Sequence, residues 1–144
     1  MAIPYDVRYN VRMSIEKWFE DYDKLAETGD IEKLADMAVF PMNVVTDVPG
    51  GYAAAKQWTR EEYVAAMKEA MGGGTADLNL RSKRTPHHLT ENLCLVETEA
   101  TMTIEGQEQT MRYADLLVRT EDGWAFQTMV QGGWGYGWEP AKRG

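Results

Sequence analysis

Proton chemistry in this chain can draw on a small set of side chains in its C-terminal half: His88, Tyr113 and Asp115, with His87 beside the first. Tyr113 and Asp115 are two residues apart, so on an extended strand they project from one face. A carboxyl among apolar neighbours must find donors or stay protonated, and an acid near a histidine and a tyrosine is suited to proton transfer. Two roles fit Asp115. It accepts a hydrogen bond from Tyr22, Tyr63 or His88 and holds the fold closed, or it orients and protonates a ligand. His87 and His88 are consecutive and point to opposite sides of a strand, so they cannot share a metal in the usual geometry. With no His-x-x-x-His spacing and a single cysteine, Cys94, no metal site is expected. Ser14 and Ser82 lack a nucleophile motif. Gly72, Gly73 and Gly74 follow a helical pattern instead of preceding one, unlike a phosphate cradle. The chemistry therefore reads as acid–base work without a cofactor.

The elements that must position these groups fall in a clear order, helical patterns before about Gly72 and strand patterns mostly after it. From Val11, Ile15, Trp18, Phe19, Tyr22, Leu25 and Ala26 recur at helical spacing, and Gly29 closes the helix. Asp30 caps a short second helix in which Ile31, Leu34, Ala35 and Ala38 share a face, and Pro41 is expected to stop it. Asn43 to Asp47 and Tyr52 to Trp58 read as extended pieces about a Pro49-Gly50-Gly51 turn. Thr59 with Glu62 forms a capping box for a third helix bearing Tyr63, Val64, Met67, Ala70 and Met71 on one face. Four strands follow, Ala76 to Leu89, Leu93 to Ile104, Thr110 to Arg119 and Trp124 to Gln131. Their short connections predict antiparallel hairpins.

Strand alternation sorts the faces. Met111, Tyr113, Asp115 and Leu117 are expected to share an inner face with Phe126, Thr128 and Val130, joined by Val96, Thr98, Ala100, Met102 and Ile104. A three-residue loop at Thr90 to Asn92 adds Leu78, Leu80, Ser82, Arg84, Pro86 and His88. The outer face collects Leu95, Glu97, Glu99, Thr101, Thr103, Arg112, Ala114, Leu116, Gln127, Met129 and Gln131, a mixture suited to a subunit interface. His88, Tyr113 and Asp115 are then the polar exceptions on an apolar inner face. Trp18, Tyr22, Trp58, Tyr63, Met67, Met102 and Phe126 are the candidate ligand-contacting walls, with Met71 and Met111 adding deformable surface. The tail 132–144 alternates glycine with Trp134, Tyr136 and Trp138. It covers a sheet edge or a partner subunit, or else forms an aromatic flap over the cavity mouth.

The chain has 144 residues and a formal net charge of −8. That length fits one domain with a sizeable core. The negative charge and scattered basic residues argue against nucleic acid. Met1 to Asn10 carries Pro4, Asp6 and Arg8 with no apolar core, unlike a secretory signal, and no stretch approaches the ~18 apolar residues of a membrane span. With one cysteine, a reducing, cytoplasmic compartment is expected and no membrane partner.

Several segments together resemble the nuclear transport factor 2-like superfamily, whose members include ketosteroid isomerases, scytalone dehydratases and SnoaL-like cyclases. They are the opening helix through Trp18 and Tyr22, the step Gly29 to Leu34, the entry Phe40 to Val45, the third-helix start from Trp58 to Tyr63, and the close Arg119 to Trp124. The likeness spans nearly the whole chain. It implies an α+β cone, a curved antiparallel sheet wrapped around three N-terminal helices, commonly dimeric through the outer sheet face and with a pocket between sheet and helices. Asp115 is similar in placement to the penultimate-strand acid that ketosteroid isomerases use to bind an oxyanion. No general-base aspartate is matched; Asp47 lies near the right part of the fold with its face undetermined. Scytalone dehydratase-like chemistry uses histidines with an acid, with which His88 and Asp115 are compatible. The expectation is thus a homodimer holding a mainly apolar small molecule, either as an isomerase, dehydratase or cyclase or as a non-catalytic interaction module.

Overall fold

The computed structural model describes residues 14–71 and 81–144. The expectations for Met1 to Val11, Gly72 to Gly74 and Ala76 to Leu80, including Leu78 and Leu80 on the inner face, lie outside the described residues. Helix α1 spans Ile15–Thr28 and starts at Ser14, whose hydroxyl accepts from the Lys17 N–H at 3.1 Å. It ends at Gly29, whose φ of 70° favours glycine. Ile15, Trp18 and Phe19 are buried along its inner stripe. Helix α2, Ile31–Ala35, is capped by Asp30 and ends at Asp36, well before Pro41. Pro41 instead sits inside strand β1, Ala38–Val48, where the Phe40–Pro41 bond is cis. Tertiary pairing explains the early end. Met37 O accepts from the Phe126 N–H at 2.9 Å and Ala38 pairs with Phe126, which draws this segment into the sheet despite its helical spacing.

Strand β2 is Tyr52–Trp58, and helix α3, Arg60–Met71, begins at the capping box, with Thr59 N–H to Glu62 Oε1 at 3.1 Å and Glu62 N–H to Thr59 Oγ1 at 3.2 Å. Strands β3 (Arg81–Thr90), β4 (Leu93–Ile104), β5 (Gln107–Thr120) and β6 (Gly123–Val130) form successive antiparallel hairpins. The β4–β5 turn is tighter than the four-residue gap expected: Glu105 and Gly106 make it at φ 51° and 79°. The loss of two residues preserves alternation, so the faces hold.

The six strands form one open sheet in the order β2-β1-β6-β5-β4-β3, and β1 pairs with β6 in parallel, a contact that hairpin reasoning does not reach. The helices lie against one face, where Trp18, Phe19, Tyr63, Val64, Val96, Leu117 and Phe126 pack as one core. The chain is α+β, with its helices N-terminal to most of the sheet. No described helix is long and apolar enough to cross a membrane.

One bulge alters the expected faces. Leu117 pairs with Phe126 but Leu116 with Thr128, so Gln127 is an extra residue in β6. Beyond it the alternation inverts. Met129 turns inward and is 9% exposed, while Thr128 and Val130, expected inside, pair with Leu116 and Ala114 on the outer face. The tail after β6 runs along β1 and β2. Trp134 N–H donates to Thr46 Oγ1 at 3.0 Å, Ala141 N–H donates to Ala53 O at 2.8 Å, and Trp134 and Trp138 both stand edge-on to Trp58.

Candidate functional site

Between the helices and the inner sheet face is a cavity of about 330 Å³. Of the expected residues, Tyr22, Tyr63, Met67, Met102, Tyr113, Asp115 and Phe126 line it. Helix α1 supplies Phe19 and Tyr22 from one stripe, α3 supplies Tyr63 and Met67 one turn apart, β4, β5 and β6 supply most of the rest from their inner rows, and Met42 of β1, Arg84 of β3 and Gln131 and Trp134 after β6 complete the lining. Five methionines, Met42, Met67, Met102, Met111 and Met129, make much of the wall deformable.

Strand register shows how the polar groups are distributed. Tyr113 stands opposite Thr98 and then Arg84; Asp115 opposite Val96 and then Pro86; Leu117 opposite Cys94 and then His88. His88 therefore has the expected parity but lies level with Leu117, beyond Asp115. Its ring is exposed, stands 6.1 Å from Trp124 and does not line the cavity. The expected convergence of His88 with Asp115 and Tyr113 does not occur. Arg84 occupies the place on β3 level with Tyr113 instead. Trp18 and Trp58 also stand back from the cavity. Trp18 stacks on Tyr22 and donates from its indole to Trp124 O at 2.9 Å, and Trp58 packs against the tail indoles. Both are core supports for residues that do reach the space.

Asp115 is 6% exposed, and no described residue donates a hydrogen bond to its carboxyl. Burial pushes its pKa up to about 7, and the nearby positive charge of Arg84 limits the rise. The hydroxyls of Tyr22, Tyr63 and Tyr113 stay protonated at neutral pH. Burial, followed by the other cavity phenols and Asp115, raises Tyr22; burial and Asp115 raise Tyr63 to about 12; burial also raises Tyr113 against the pull of Arg84. Among the described residues, the sealed polar atoms without a partner are Arg84 Nε, Thr98 Oγ1 and Trp134 Nε1. The three phenols and Asp115 line the cavity.

Arg84 keeps its charge. Burial opposes it, but Asp23 on α1 holds both terminal nitrogens at 2.8 Å, and the guanidinium lies 4.2 Å over the Phe19 ring. Asp47 stands on the outer face: Met42, Val44, Thr46 and Val48 alternate inward and leave Asp47 exposed. It cannot serve as a second acid beside Asp115. Sequence reasoning had Arg84 on the inner face but assigned it no part in the site. Met42 lies outside the piece read as extended and Met129 is hidden by the bulge, while Trp134 belongs to the tail, for which the sequence leaves an edge cover and a cavity flap as alternatives.

No protein-family model and no curated protein matches the sequence. Solved structures do. An NTF2-like protein of unknown function from Shewanella oneidensis superposes with a TM-score of 0.62 at 12% identity, over 83% of this chain and 96% of that one. A calcium/calmodulin-dependent protein kinase type II association domain, so named provisionally, from Thiobacillus denitrificans gives 0.62 at 14% identity, over 85% and 96%. A protein from Novosphingobium aromaticivorans, provisionally named scytalone dehydratase, gives 0.56 at 19% identity, over 86% and 82%. At such identities the likeness is one of fold, and on one fold unrelated functions occur.

Proposed function

On this nuclear transport factor 2-like fold, we propose that the chain binds an apolar small molecule with an oxygen function between sheet and helices, and acts on it by cofactor-independent proton transfer. The observation that carries the reading is the Asp115 carboxyl, buried, given no hydrogen-bond donor by the described residues, and lining a cavity walled mostly by methionines and aromatic rings with Arg84 and Gln131 as its other polar side chains. A group with a pKa near the working pH both takes and returns protons. Asp115 as carboxylate removes a proton from a carbon beside a ligand carbonyl, and the resulting carboxylic acid returns it at another position of the same ligand. Tyr113, with Tyr22 and Tyr63, donates hydrogen bonds to the oxygen that carries the transient negative charge. A single acid performing both transfers requires no role for His88. The test is incubation of apolar enolisable ketones in D2O, with deuterium entry beside the carbonyl followed by NMR. Wild-type protein is expected to accelerate exchange and Asp115→Asn to abolish it; ligand binding without exchange would leave a binding protein and remove the catalytic reading.

The outer face supports an accompanying proposal, a homodimer. A groove of about 670 Å³ runs there over Val45, Ala53, Ala114 and Val130, with Asp47 on β1 at one side and Lys83 on β3 at the other. A two-fold axis along the strands sets each copy's Asp47 against the side of the other copy that carries Lys83, beside Glu97 and Glu99. If the cavity proves inert, this face becomes the functional one and the chain an interaction module. The buried free thiol of Cys94 suits a reducing, cytoplasmic setting.

A further inference from the structure

The interior cavity and the outer groove, on opposite faces of the sheet, share two lining residues, Tyr113 and Gln131. The reason lies in the strand lengths. The β5–β6 ladder stops at the pair Ala114–Val130, whereas β5 extends back to Gln107 with β4 as its only neighbour among the described strands. Past that last pair the chain after β6 turns aside. Gln131 N–H bonds to Val45 O at 3.0 Å, and Gly132 follows under Asp47, so close that a Cβ would stand 2.8 Å from its carboxylate. The sheet is therefore split between Met111–Tyr113 and Gln131. Among the described residues, one side-chain hydrogen bond spans the split, the Gln131 amide donating to Met111 Sδ at 3.9 Å, a soft hydrogen bond that a rotamer change breaks.

We propose that this split is the route between the cavity and the outer face, with Gln131 as its gate, and that a second copy of this chain seated on the outer groove covers the route. The inference rests on the dimer reading above for its second part. It deepens the cavity reading by saying where a ligand enters and what regulates entry. Release of the Gln131–Met111 contact joins the two spaces without disturbing the β5–β6 ladder, which ends at Ala114–Val130. Exchange of ligand is then fastest in the free monomer and slowest in the assembled pair.

Hydrogen peroxide tests the route without relying on any ligand, because it oxidises buried thioethers that it can reach. Met42 is 2% exposed and lines the cavity, so its sulfoxide, measured by peptide mass spectrometry, reports entry. Oxidation of Met42 is expected to rise several-fold in Gln131→Gly, to fall in Gln131→Trp, and to slow as protein concentration is raised through the association range found by light scattering. Circular dichroism establishes that both variants remain folded. Equal Met42 rates in wild type and both variants overturn the gate; rates that follow Gln131 but ignore concentration overturn the covering by a second copy. Parallel titration with the apolar dye 8-anilinonaphthalene-1-sulfonate separates the two claims: a gated route with no dye bound keeps this inference and removes the small-molecule reading.

Discussion

Asp115 is a carboxyl that folding buries and to which no described residue donates a hydrogen bond, and its effect on stability and its chemistry follow from that. Its pKa rises from 3.8 to about 7 on folding. Between those values the unfolded chain has released the proton and the folded chain retains it, so the folded state binds more protons. Stability contributed by this group is complete below about pH 4, falls as pH rises toward 7 by up to about 1.4 kcal/mol per unit, and levels off above it. Asp115→Asn removes the titration. The variant is expected to match wild type in urea midpoint at pH 3.5 and to exceed it at pH 8, and a wild-type advantage at pH 8 would mean that the carboxylate is held by donors. Among the described residues, Arg84 is the group that opposes this rise. Arg84→Met should therefore move the Asp115 titration higher, a shift that carbon-13 NMR of the side-chain carboxyl reads directly. An unmoved or lowered titration would place Arg84 too far away to matter.

At the scale of elements, regular pattern was legible and irregularity was not. The capping box at Thr59, the glycine cap at Gly29 and the limits of β2 and β4 follow from local rules that the structure keeps. Alternation put Asp115, Tyr113, Val96 and Leu117 on the correct face because the β4 and β5 turns change length by an even number. Gln127 defeats the same argument, since one inserted residue swaps Met129 with Val130 and no residue type announces it. His88 shows a different limit. Parity gives the face of a strand but not the height along it, and height separates His88 from Asp115. The tail is the element with most to test. Trp134 is held by glycine at position 135, where an added methyl would overlap Asp47 O and crowd Val48 and Thr46. Gly135→Ala is expected to cost about 1–3 kcal/mol, typical of overpacking, and to expose Trp134 to solvent, read as a red shift in fluorescence. Tyr136→Ala, at an 89% exposed site, is the control and should change neither.

At the scale of the whole molecule, the sheet does two jobs with its two faces. The inner face closes a methionine-rich space against α1 and α3, and the outer face presents a shallow groove of mixed charge. Light scattering at micromolar concentration is expected to give twice the chain mass, with Lys83→Glu shifting the balance toward monomer by setting like charges opposite Asp47; a concentration-independent monomer would remove the dimer. The central claim, that the Asp115 carboxyl faces the ligand inside the apolar cavity, is tested most directly by calorimetric titration with α-tetralone, an apolar aromatic ketone, from pH 5 to pH 9. The phenols take the ketone oxygen and the apolar ring displaces solvent from Asp115, so the complex favours the protonated acid. The account predicts wild-type affinity that weakens as pH rises through about 7 and an Asp115→Asn profile that is flat. Superimposable profiles for the two proteins, or no binding to either, would contradict it.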